Sequence, residues 1–210
     1  MSDSRLNIPL KCKCGTLQGF ADVPVSHRGN RFVCLCDDCQ AYAHYLGRAQ
    51  EVLDANGGTD IFPVAPANLK ITQGIENLKG CRLSDKGMYR WYAGCCKTPI
   101  GNTPASAKSI YVGVSVGIID SSMIGPISVR VQGKFGIGPL PAGTVQMISL
   151  PFMFRMIRFM LGAALKKQHS PSPFVDSSTG RLRAEPSILS SSEREVLRPL
   201  CGPKNLSSQK

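Results

Sequence analysis

Two stretches in the middle of the chain step between apolar and polar residues with a period of two: FPVAPANLKI (62–71) and SIYVGVSVGII (109–119). Their β-branched and aromatic residues pack well on a pleated surface, so both read as strands. NGGTD (56–60) punctuates the chain as a turn. Just before it, QAYAHYLGRAQEVLDA (40–55) is rich in helix formers and predicts a helix capped by Asp37 or Asp38. Gln40 and His44, one turn apart, would share a side of that helix.

A different pattern fills Met147–Leu165. Pro151 suits the first turn of a helix. At 100° per residue, Arg155, Arg158, Gly162 and Lys166 share a narrow face. Phe152, Met153, Met156, Ile157, Phe159, Met160 and Leu161 cover the rest. The stretch nears membrane-spanning length, but two arginines in its middle argue against spanning. It is expected to pack on its own domain first, to form a homodimer seam second, and to lie on a membrane surface last. Further on, SILSSSEREVLRPL (187–200) carries a capping-box pattern at Ser190 or Ser192 and predicts a short helix. The last ten residues, CGPKNLSSQK, are expected to fray.

These elements predict a mainly β domain of antiparallel strands over 1–140. A helical extension with a Ser/Pro-rich tail follows over 141–210. A chain of 210 residues can bury a core. Its 21 Gly and 15 Pro fit many turns and short strands. The formal net charge of +11 raises a polyanion or membrane partner against simple solubility. Lys and Arg form no run of five, and aromatics are not interleaved with them, so no specific nucleic-acid partner is expected. MSDSRLNIPL has no apolar run of the kind a signal peptide needs, so the expected location is cytoplasmic. Nine cysteines there would be reduced, which favours metal chemistry over disulfides.

Seven of those cysteines fall into three groups: Cys12 and Cys14; Cys34, Cys36 and Cys39; Cys95 and Cys96. Cys81 and Cys201 stand alone and read as ordinary buried or half-buried thiols. Zinc takes thiolates in a tetrahedron, and a tight turn lets close cysteines reach one ion. Gly15 supplies the positive φ such a turn often needs. Cys12 and Cys14 need distant partners, and the paired candidates are Cys95 and Cys96. Such a structural ion would pin two remote points of the chain. Cys34, Cys36 and Cys39 make a set of three, and three protein ligands with one open position is the pattern of a catalytic zinc. The alternative is a fourth ligand, His27 or His44, closing a structural site.

C-x-C-G at 12–15, C-x-C-x-x-C at 34–39, RWY at 90–92 leading into Cys96 and TPI, DIFPVAPANLKITQG at 60–74 and YVGVSVGIID at 111–120 occur in that order. This set resembles the family of glutathione-dependent formaldehyde-activating enzymes and centromere protein V, over roughly residues 8–135. The resemblance implies a zinc-binding β-tent type fold. It implies a structural zinc held by Cys12, Cys14 and Cys96. A second, more labile zinc would sit on Cys34, Cys36 and Cys39, near a glutathione site. The chain departs from the pattern at Ala93, where the family has a cysteine, and Cys95 is new. Cys95 can join Cys96 on one ion only in a turn; otherwise the structural site has three cysteines plus something else, or Cys95 faces the second ion and closes it. Leu35 also departs, making the second site less polar.

Three functions are consistent with this. In the first, zinc on the three-cysteine set takes up a small thiol such as glutathione for carbon–sulfur lyase chemistry with an aldehyde. Asp37 and Asp38 would then either orient the site or simply cap the helix. In the second, both ions are structural and the chain is a module for protein or membrane-surface contact. The third, a thiol switch at 36–39 or 95–96, is weakest, because the pattern is not βαβ and an adjacent-cysteine disulfide is strained.

Overall fold

The computed structural model describes residues 4–202. In chain order the strands and helices are β1 Arg5–Lys11, β2 Gln18–Pro24, β3 Phe32–Cys34, α1 Asp37–Tyr45, α2 Ala49–Val52, β4 Thr59–Val64, β5 Leu69–Gln73, β6 Leu78–Arg82, β7 Tyr89–Ala93, β8 Thr98–Thr103, β9 Val112–Ser115, β10 Arg130–Val131, α3 Leu150–Leu165, β11 Ser187–Ile188 and α4 Ser191–Leu197. The protein is mainly β. One sheet has the order β1-β2-β5, and a larger one runs β10-β3-β4-β9-β8-β7-β6-β11. Pairing is antiparallel except at the two edges of the larger sheet, where β10 and β11 add in parallel. Both edge strands are two residues long, which leaves little ladder open to a passing chain.

The two stretches with period-two patterning form strands. FPVAPANLKI divides between β4 and β5, which a 3₁₀ turn at Pro66–Asn68 sends to different sheets. SIYVGVSVGII gives β9, then a 3₁₀ turn at Val116–Ile118. Asp120 caps the next turn by accepting from the Ser122 N–H. The main core is packed from both sheets: Ile8, Leu10 and Ala21 from the smaller, Phe62, Trp91 and Val114 from the larger. Trp91 is fully buried, donates from Nε1 to Thr103 Oγ1 at 3.1 Å, and stacks on Phe174 at 4.7 Å. Burying an aromatic of this size stabilises by roughly 2–3 kcal/mol, so Phe174 anchors the tail to the sheet.

The helix expected over 40–55 is two helices. It opens earlier, with Cys36 at the N-cap and both aspartates in the first turn. It breaks after Leu46, because Gly47 turns left-handed at φ +66° and α2 begins only at Ala49. Near the C-terminus, Ser190 forms the capping box with Glu193, and α4 packs on α1. Leu189 and Leu197 join Tyr42, Leu46, Cys81 and Leu83 in a second cluster. Of the ten residues expected to fray, Cys201 is half-buried and Gly202 donates its N–H to Gln40 Oε1 at 2.7 Å. Residues 203–210 lie outside the described range.

Candidate metal centres

The first centre forms where two turns meet. Cys12 follows β1, and Gly15, at φ +80°, reverses the chain so that its N–H reaches Cys12 O at 2.9 Å. Cys95 and Cys96 lie in the β7–β8 turn, closed by the Lys97 N–H on Ala93 O at 2.7 Å. Being in a turn rather than a strand, both Cys95 and Cys96 point to the same place. Ala93, still in β7, is fully buried in the core. The Sγ atoms of Cys12, Cys14, Cys95 and Cys96 all lie within 4.8 Å of one another. Cys12–Cys14 is 3.6 Å, Cys14–Cys95 3.4 Å, Cys12–Cys95 3.9 Å and Cys95–Cys96 3.8 Å. A tetrahedron with metal–sulfur bonds near 2.3 Å has edges of about 3.8 Å. The four thiols therefore fit one ion.

Hydrogen bonding already favours thiolate here. Cys14, exposed, is lowered to about 6, chiefly by the Thr16 hydroxyl and then its backbone N–H and Cys95. Cys96 is also lowered: burial opposes this, but the Thr98 hydroxyl at 3.0 Å outweighs it. Cys95 is raised to about 12 by burial and by donating to its neighbours.

The second centre is local. Leu35 is fully buried, and in the extended Cys34-Leu35-Cys36 segment this turns Cys34 and Cys36 to the opposite side together. Cys39 returns to them from the first turn of α1, its N–H bonded to Cys36 O at 3.0 Å. The three Sγ atoms lie within 4.8 Å of one another. Among the described residues no fourth Cys, His, Asp or Glu shares that distance to all three. His27 instead meets the Phe159 ring edge-on at 5.5 Å. His44 sits in the last turn of α1, away from the N-terminus that carries the thiols.

A buried cation stands beside this group. Arg90, on β7 and 3% exposed, lies with Nη1 3.8 Å from Cys39 Sγ and Nη2 3.6 Å from Asp38 Oδ2. Its guanidinium also faces the Tyr42 ring at 5.4 Å. Burial disfavours its charge, but Cys39, Cys36 and Asp38 more than offset this and hold it protonated. Cys39 is pushed well below the usual thiol range, first by hydrogen bonds from Cys34 and Cys36 and then by Arg90. Cys36 is raised by donating to both partners and by burial. Cys34 is lowered by Cys36 but raised on balance by Cys39 and burial. Negative charge thus settles on Cys39 first.

Arg194 of α4 pairs with Asp38 at 2.6 Å and with Asp37 at 3.6 Å, so the C-terminal segment reaches the site through both aspartates. Gln40, fully buried, does not face the thiols. Its amide donates to Leu35 O and Phe135 O at 2.8 and 2.9 Å and holds Gly202. Behind Cys39 is a cavity of about 20 Å³, lined by Tyr42, Thr59, Arg90, Pro99 and Ser115, enough for one water. The buried Thr59 hydroxyl on its wall has no protein partner. A larger cleft of about 400 Å³ shares Val52, Pro99 and Ser115 with it. Lys13 and Arg48 line that cleft, both paired to Glu51 at 2.6 and 2.9 Å. Arg48 also donates to Cys96 O at 3.1 Å.

A sequence profile matches residues 4–185, running from β1 to just short of β11 and taking in all seven clustered cysteines and α3. The chain belongs to DUF6151, a family of unknown function. That span reaches well past residue 135, so α3 is part of what the DUF6151 profile describes. No curated protein matches the chain. Arg90, Arg194 and Thr59 are the site residues that pattern reading misses. Arg90 alternates with Trp91 and so points to the other sheet face, but only the fold reveals that α1 covers that face.

Proposed function

We propose that this DUF6151 protein holds two zinc ions, one structural and one exchangeable, and that the exchangeable site works on small thiols. The observation that carries this reading is the three-thiol group with no fourth Cys, His, Asp or Glu beside it among the described residues. Thiolate donor sets suit zinc, as they do copper(I) and iron–sulfur clusters, over magnesium and calcium. When bound, zinc with an open position lowers the pKa of an incoming thiol and polarises a carbonyl. The protein's own residues do the rest. Cys34, Cys36 and Cys39 anchor the ion, and Arg90 balances their negative charge from a buried position. Asp38 orients Arg90. Thr59 offers a hydroxyl to a water in the small cavity beside Cys39.

The reaction class we favour is carbon–sulfur bond formation and cleavage between a small thiol, such as glutathione, and an aldehyde. In the forward sense the thiolate sulfur bonds to the aldehyde carbon, the carbonyl electron pair moves to oxygen, and that oxygen takes a proton. The motif order shared with the formaldehyde-activating family supports this choice. The second reading, a purely structural module, draws on the four-thiol site, whose convergence of distant turns suits a scaffold.

Cobalt substitution separates the two. Cobalt-loaded protein has thiolate charge-transfer and ligand-field bands that report the donor set. Added glutathione is expected to change the bands of one ion and leave the other alone. Bands from both ions that ignore glutathione would refute the exchangeable site.

A further inference from the structure

We infer that the outward face of α3 docks on an anionic lipid surface. This helix is apolar on both sides. Its inner side buries Phe152, Phe159 and Ala163, with Phe152 against Phe32 at 4.8 Å. Its outer side is equally apolar: Leu150, Met153, Phe154, Ile157, Leu161 and Leu165 form one stripe, with Phe154 64% and Leu165 84% exposed. A surface helix normally turns charge to water, so a second apolar stripe marks a contact face. Of the four residues expected to share one narrow face, Arg158 and Lys166 are exposed beside this stripe and the other two are not. Arg155 points inward, with Nη2 on Ser128 Oγ at 2.7 Å, and Gly162 is half-buried.

Charge decides what covers the stripe. Residues 121–175 contain six Lys and Arg and not one Asp or Glu. Arg158, Lys166 and Lys167 are exposed along or just beyond the helix. The turn Val25–Asn30, whose His27 touches Phe159, adds an exposed Arg28. Asp60 and Asp54 are engaged by Arg31 and Arg130. A second copy fits poorly. In a two-fold antiparallel pair centred on the helix, Arg158 near its middle approaches its own symmetry mate, with no acid to relieve the repulsion. Lipid phosphates supply the missing negative charge, and acyl chains take the stripe. No helix among the described residues is long and apolar enough to cross a membrane. Sixteen residues span only about 24 Å, so the helix would lie in the interface plane.

The test is co-sedimentation of the full chain, purified with its metal, on phosphatidylcholine vesicles with and without phosphatidylglycerol. Binding is expected on the anionic vesicles, falling about tenfold without phosphatidylglycerol or at high salt. The Phe154→Glu/Leu161→Glu pair, at exposed positions, should lower binding at least about tenfold with unchanged circular dichroism and metal content. The Arg158→Gln/Lys166→Gln/Lys167→Gln variant, which leaves the apolar stripe intact, should fall toward the level on neutral vesicles. No binding by the parent protein overturns the inference. So does binding that survives both variants, which would mean diffuse attraction by the basic chain. A dimer that does not bind vesicles and is dissociated by Phe154→Glu/Leu161→Glu would assign the face to a second copy.

Discussion

Cys12 and Cys95 are 83 positions apart and meet in a group whose Cys14 and Cys95 are exposed, whereas Cys34, Cys36 and Cys39 come from six consecutive positions, with Cys39 buried and the other two half-buried. The first group depends on the fold to bring its members together, and an ion there returns that dependence by tying two turns. The second needs only a strand end and one helical turn, so an ion there closes no long loop. Loop closure and metal binding therefore contribute folding energy mainly at the first group. The surroundings differ in the same sense. Thr16 and Thr98 hydroxyls steady the exposed group, and a buried guanidinium compensates the interior one. One group is built to hold the protein, and the other is held by the protein.

Substitutions break this comparison most sharply. Cys96→Ser should cost on the order of 5 kcal/mol or more, enough to unfold a domain of ordinary stability. Cys34→Ser should cost only about 1–2 kcal/mol while losing one ion. Denaturant melts of the two variants, read beside metal content, check this; equal costs would erase the distinction. Next in size is Arg90→Met. It leaves the Cys39 thiolate without its buried cation, while Asp38 keeps Arg194, for a loss of about 3–5 kcal/mol. Hydrogen exchange should place that loss in α1 and spare the β7–β8 turn.

Smaller again is Gln40→Ala, which strips the partners from Leu35 O, Phe135 O and the Gly202 N–H. A cost of about 1–3 kcal/mol is expected, visible as faster proteolysis after α4. The mildest probe is alkylation of the reduced, metal-free protein near neutral pH. Cys14, exposed and lowered to about 6, is mostly thiolate there and should be labelled first. Cys34 and Cys36, both raised, should be labelled well after it. The expected order comes from mass spectrometry of timed samples, and the reverse order would mean that the interior group is the open one.

Period-two patterning was enough to find β4, β5 and β9, because half-buried strands write their burial into the sequence. Cysteine spacing was enough to set Cys34, Cys36 and Cys39 apart from Cys12, Cys14 and Cys96, but it left Cys95 undecided until the β7–β8 turn placed it with the first group. The left-handed Gly15 was readable locally. What stayed hidden is long-range. Nothing local to Gly47 told that its positive φ would split the helix expected over 40–55. The tail residues Phe174, Leu189 and Gly202 gave no sign that they seat against Trp91, Tyr42 and Gln40. Arg90 reads as a surface cation in a strand until α1 is laid over it. Helix α3 was legible as a helix, but its apolar composition could not reveal which side the sheet would take.

Zinc counted per chain, before and after a mild chelator and with and without glutathione, tests the two-site account most directly. The account predicts two ions, one retained throughout and one lost to the chelator, the second protected or displaced at a different rate when glutathione is present. Two ions that leave together and ignore glutathione, or a single ion that never leaves, would contradict it.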